Sequence, residues 1–145
     1  MNASTLTRRS ADESIMLHQA FGVLGLVEGL SFLFMSALHA GVFGPLFGEP
    51  VIVPAMIVEG LCGTVLMVAS FGLLARLSWG WSGAVVAQAF SLAGVLLGIA
   101  AINAARGPHL ELNDAYHRIM VVALSVGLAA LCLPSVRRAL HTSHH

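Results

Sequence analysis

Lysine is absent from this 145-residue chain, and all seven of its basic residues are arginine. Charge of either sign is scarce: only 10% of residues are Asp, Glu, Lys or Arg, against roughly a quarter in soluble domains. A chain so poor in charge cannot cover a water-facing surface. There is no basic run and the formal net charge is zero, so no nucleic-acid footprint is indicated. The two cysteines, Cys62 and Cys132, lie in apolar stretches; they read as packing residues, not as a disulfide framework. The apolar stretches hold no H-x-x-x-H, E-x-x-H or C-x-x-C spacing, so no cofactor is strongly indicated. No nucleophile–base–oxyanion set, phosphate loop or cofactor fingerprint is visible, which makes an enzyme the least favoured class.

What the chain does have is long hydrophobic runs. It is 57% hydrophobic, with a mean hydropathy of +0.87. A spanning helix needs about 20 mostly apolar residues, and four stretches qualify, at about 17–42, 51–75, 79–104 and 114–133. They predict an all-α polytopic membrane protein: an up-down bundle of four transmembrane helices over 15–134, with a segment 1–14 before it and a tail 135–145 after it. Arg8 and Arg9 precede the first run, but that run is far longer than the core of a signal peptide, about 7–15 residues, so it reads as a retained span.

Boundary signals frame the spans. Ser10-Ala11-Asp12-Glu13 has capping-box spacing and predicts a helix start there. Gly44-Pro45 and Gly48-Glu49-Pro50 break the chain after span one, and Arg106-Gly107-Pro108 ends span three. Asn113 or Asp114 is expected to cap span four, and Pro134 to close it. Trp79 and Trp81 stand where an aromatic belt would put them. The polar tail 141–145 is expected to be disordered. Arg8, Arg9, Arg76, Arg137 and Arg138 fall on one side, Arg106 and Arg118 on the other; the positive-inside rule then places both termini in the cytoplasm.

The informative residues are those a bilayer should exclude. A carboxylate at mid-bilayer costs several kcal/mol, yet Glu28 lies in span one and Glu59 in span two, with Gln88 in span three. His39 and His117 fall near the outer ends of spans one and four. Glu28, Phe32, Met35 and His39 follow i, i+4, i+7, i+11 spacing and share one helix face. At a rise of about 1.5 Å per residue, His39 lies roughly 3 Å and His117 roughly 6 Å below the outer boundary, Glu59 roughly 12 Å, and Glu28 and Gln88 roughly 17–20 Å. The expected arrangement is a polar ladder, with two histidines above Glu59 and then Glu28 beside Gln88.

Four readings fit that ladder. It is polar glue between helices, a proton- or ion-handling path in a carrier or channel working as a homo-oligomer, a metal or haem site with His39, Glu59 and His117 as ligands, or the lining of a lipid or quinone pocket. The stretch from Arg106 to Arg118 adds a candidate site at the outer loop: Asn113, Tyr116 and Arg118, with His117 expected to face Glu59. Gly94-x-x-x-Gly98 reads as close helix packing. Leu26-Val27-Glu28-Gly29-Leu30 also aligns with Ile57-Val58-Glu59-Gly60-Leu61, and Gly41 with Gly72, as a duplicated half would.

Val58-Glu59-Gly60-Leu61 followed by Gly63 resembles the second span of small four-span bacterial membrane proteins of the DoxX-like type. The first-span arginine and following lysine usual in that family are absent. Arg106-Gly-Pro…Asn113-Asp-x-Tyr116-His117-Arg118 is similar to a group of uncharacterised bacterial four-span proteins. The resemblance covers spans two to four. It implies a four-helix bundle in a bacterial inner membrane, serving as an accessory subunit of a larger membrane complex. The polar core by itself leaves a small-ligand-binding membrane protein as the other expectation.

Overall fold

In the computed structural model the described residues are 3–43, 50–104 and 111–141, with side chains described over 11–140 of these. Five helices follow in order: α1 (Ala3–His39), α2 (Val53–Leu74), α3 (Gly80–Asn103), α4 (Glu111–Cys132) and α5 (Pro134–His141). Four segments are long and apolar enough to cross a membrane: Ala11–His39, Val53–Leu74, Gly80–Asn103 and Glu111–Cys132. Consecutive helices pack side by side as an up-down bundle. The expected breaks at Gly44-Pro45, Gly48-Glu49 and Arg106-Gly107-Pro108, His109 and the tail 142–145 lie outside the described residues.

The bundle is apolar outside and polar inside. Large aliphatic and aromatic side chains such as Val27, Phe71, Leu97 and Val122 are exposed, while His18, Glu28, His39, Glu59, Gln88, Ser91, Asn113 and His117 are buried. A water-soluble bundle would reverse that distribution. On α1 the buried residues His18, Gly22, Gly25, Glu28, Gly29, Phe32, Met35 and His39 form one stripe at helical spacing. Its glycines set the distance to α2: a Cβ on Gly63 would come within 2.9 Å of the Gly29 carbonyl oxygen. Without side chains there, the two backbones approach closely and gain dispersion contacts that lipid tails would not supply.

Several boundaries differ from expectation. α1 runs through Ser10–Glu13 without a break, so the capping-box spacing marks no helix start; helical propensity continues on its N-terminal side. α4 begins at Glu111, which puts Asn113 and Asp114 in its first turn instead of at the cap. Pro134 follows the end of α4 and also opens α5, a position where its missing N–H costs nothing. α5 lies where the sequence suggests only a tail after the bundle. Leu140 is buried with Leu73, Ala84 and Leu131, and Ser14 Oγ donates to the Ala139 carbonyl at 2.9 Å. Trp81 pins the same end, its indole N–H donating at 3.1 Å to Leu131 O in the last turn of α4, a carbonyl with no partner within its helix. The Arg137 guanidinium lies 5.0 Å over the Trp81 ring.

The aligned halves diverge in structure. Gly41 (φ +80°) ends α1, where Gly41 N–H bonds Leu38 O and Val42 N–H bonds Ala37 O. This is a Schellman closure, with glycine where a left-handed residue is required. Gly72 lies within α2. The residue equivalent to Gly41 at the end of α2 is Arg76: its N–H bonds Leu73 O, Leu77 N–H bonds Gly72 O, and its φ is +52°. Among the described residues it is the one non-glycine residue with positive φ. A left-handed L-residue costs roughly 1 kcal/mol. Arg76→Gly should therefore stabilise the detergent-solubilised protein by about 0.5–1 kcal/mol. The readout is a higher midpoint on denaturant titration, and an unchanged midpoint would show the turn to be unstrained.

Candidate functional site

Two buried carboxylates anchor two separate polar groups. Glu28 on α1 reaches across the bundle to α3, where Gln88 Nε2 donates to its Oε2. Both side chains are nearly inaccessible, at 3% and 4%. Ser31, one turn along α1, donates its hydroxyl to the Glu28 carbonyl at 2.7 Å. Having spent its only proton, Ser31 Oγ accepts from the Tyr116 hydroxyl at 3.3 Å. The Tyr116 ring meets Phe32 edge to face at 5.8 Å, so α1 and α4 touch through these side chains.

The second group sits nearer the α1–α2 loop. His39 Nδ1 lies 2.7 Å from Glu59 Oε2, and both side chains are buried. Glu59 Oε1 has no hydrogen-bond partner among the described residues. Glu59 lines a cavity of about 270 Å³ between the first turns of α2, the last turns of α3 and the first turns of α4. Its walls are mainly aliphatic, including Ile52, Val58, Leu97 and Ile102, and among the described residues its polar side chains are Glu59, Asn113 and His117. His117 Nδ1 is 2.8 Å from the Asn113 carbonyl. A carbonyl only accepts, so Nδ1 donates in that bond, and Nε2 is the opposite edge of the ring. That edge rests over Gly98, where a Cβ would come within 2.6 Å of Nε2, while Gly94 packs against Cys62 Sγ. The Gly94/Gly98 pair thus makes room for two side chains of the neighbouring helices. Asn113 Oδ1 is buried and also lacks a partner among the described residues.

The ladder residues therefore divide. Gln88 joins Glu28, His39 joins Glu59, and His117 shares a cavity with Glu59 while its own hydrogen bond goes to α4. His39, Glu59 and His117 do not close on a common point: among the described residues no three His, Cys, Asp or Glu side chains form a metal-ligand group. The outer-loop trio separates because 100° per residue spreads it around α4. Asn113 faces the cavity, Tyr116 faces Ser31, and Arg118 is exposed. His18, outside the expected ladder, is buried at 3%, with Nδ1 2.8 Å from Ser14 O. Its place on the α1 stripe was the available signal. Nothing in the sequence pointed to Ile52 or Pro54 as cavity wall.

The Glu28–Gln88 contact has a stability consequence. Gln88→Leu leaves a buried carboxylate without its donor and should destabilise the fold by about 2 kcal/mol. Glu28→Leu/Gln88→Leu removes both polar groups and should recover most of that loss. A double-mutant cycle in detergent measures the coupling, and additive losses would mean the contact contributes nothing. Compared with models of known families, with characterised proteins and with solved structures, the chain matches none.

Proposed function

We propose that this chain is a small multi-pass protein of a bacterial cytoplasmic membrane, both termini inside, that binds a small, largely apolar ligand in the cavity between α2, α3 and α4. One observation carries the reading. Two buried oxygens, Glu59 Oε1 and Asn113 Oδ1, have no partner among the described residues, yet both side chains line one mainly aliphatic cavity. Buried polar groups are ordinarily satisfied, and an apolar pocket with a few convergent polar groups is the usual form of a ligand site. Glu28 and Gln88 do not line that cavity, and their contact serves as the fastener of the bundle. The exposed aliphatic surface supports placement in lipid, and the resemblance to small four-span bacterial proteins supports the compartment. The excess of arginine beside Trp81 and α5 supports the orientation.

Ligand binding is testable without knowing the natural ligand. Protein in lipid nanodiscs is heated with n-hexanol, hexanoate or n-hexylamine. A probe that occupies the cavity should stabilise the wild type by about 2.7 kcal/mol at a hundred times its Kd. Ala101→Phe, which fills the cavity from α3, should abolish that response. If no probe shifts the wild type, or if each shifts the filled variant equally, the cavity is not a ligand site.

A further inference from the structure

Independently of the cavity between α2, α3 and α4, we propose that the elbow between α4 and α5 binds an anionic phospholipid. Arg137 and Arg138 take its phosphate, and Cys132 and Pro134 meet its glycerol and first methylenes. α4 ends at Cys132 and α5 begins at Pro134. The elbow holds an open cleft of about 490 Å³ whose walls, among the described residues, are Cys132, Pro134, Arg137 and Arg138. Helical spacing puts Pro134, Arg137 and Arg138 on one side of α5. Val136 and Leu140, on the other side, pack inward with Leu73 and Leu131.

The two guanidinium groups are held in place by the fold. Arg138 Nε donates to the Pro134 carbonyl at 3.1 Å. Arg137 lies 5.0 Å over the Trp81 ring, and that ring is fixed by its own bond to Leu131 O. Stacking engages the face of a guanidinium, whereas its N–H donors lie in its plane, the geometry that grips a phosphate. Among the described residues no carboxylate lines the cleft, and α5 contains no acidic residue. Asp12 and Glu13, the nearest acidic residues in sequence to the α5 contact at Ser14, lie on α1.

Size and position select the occupant. The volume falls within the roughly 300–1,000 Å³ of sites for whole organic ligands, and a free phosphate gains nothing from apolar walls. Cys132 is the last residue of the fourth span, level with an indole of the kind that sits among lipid headgroups. Leu133 beside it is exposed, so hydrocarbon and charge adjoin at the elbow as they do in a phospholipid. A zwitterionic lipid also carries a cation, which two guanidinium groups repel.

Protein in neutral detergent is titrated with dioleoylphosphatidylglycerol, dioleoylphosphatidylcholine, inorganic phosphate or hexaglutamate. Native mass spectrometry reads the bound molecule, and alkylation by N-ethylmaleimide reads the cleft wall, because Cys132 is exposed and Cys62 buried. One phosphatidylglycerol should bind per chain, about thirtyfold more tightly than phosphatidylcholine, from two charge contacts each giving about fivefold. Cys132 should be protected in parallel, and affinity should fall with added salt. Arg137→Gln/Arg138→Gln should remove both the preference and the protection. Arg137→Lys/Arg138→Lys should restore only part, since an ammonium lacks the planar fork. Should the glutamine pair detach α5, Cys132→Trp, which keeps both arginines and fills the cleft, should weaken phosphatidylglycerol binding. Equal affinity for the two lipids, or a preference unchanged in the glutamine pair, overturns the proposal. So does inorganic phosphate matching the lipid, which marks a free-anion site, or hexaglutamate exceeding it, which marks a site for an acidic protein segment.

Discussion

His39 makes two bonds that the upper half of the bundle depends on. Its backbone carbonyl accepts from Ile52 N–H at 3.0 Å, and its ring meets Glu59 at 2.7 Å. The first bond fixes where the chain returns to start α2. The second fixes the rotation of α2 about its own axis, because Glu59 must point at α1 to reach the imidazole. With that rotation set, Gly63 faces Gly29 and the exposed positions Ile57, Leu61 and Val68 face outward. The constraint is strict because the surroundings are apolar. A carboxylate turned away from its partner would meet hydrocarbon, at a cost far above that of a broken surface contact.

The same economy explains why the two glutamates differ despite similar local sequence. Glu28 meets an amide, which donates a hydrogen bond and carries no charge, and it lines no part of the cavity. Glu59 meets an imidazole, which can carry a charge, and its side chain also lines a chamber. Phe32 packs in the core cluster with Leu66 and Leu124 and also lines the chamber wall. Tyr116 occupies the level between the two groups, its ring against Phe32 and its hydroxyl on Ser31. One carboxylate is thus a cross-brace and the other part of a cavity wall. That distinction arises from their partners, because their flanking residues are nearly identical.

At the other end, α5 closes the bundle with an apolar edge and two arginines. Leu140 fills the gap above Leu73 and Leu131, while Arg137 stacks on Trp81. The short helix ties the C-terminal part of the chain to α1 through Ser14.

The four apolar runs were legible in the sequence because hydrocarbon thickness demands about 20 residues of one character, a property of each segment alone. The α1 stripe from Glu28 to His39 was legible as well, since helical spacing places those residues on one face whatever they meet. Helix ends were less legible. Ser10–Glu13 has the spacing of a cap but lies inside a longer helix, and Arg76 occupies a left-handed position that glycine usually marks. Which polar residues pair was decided only by tertiary structure. Helix rotation and offset determine that Glu59 takes His39, that His117 turns to the Asn113 carbonyl, and that Arg118 points away. Neither rotation nor offset is a property of any single segment. The sequence by itself determined that polar groups would lie within an apolar bundle; packing decided that one carboxylate became a brace and the other came to line the cavity.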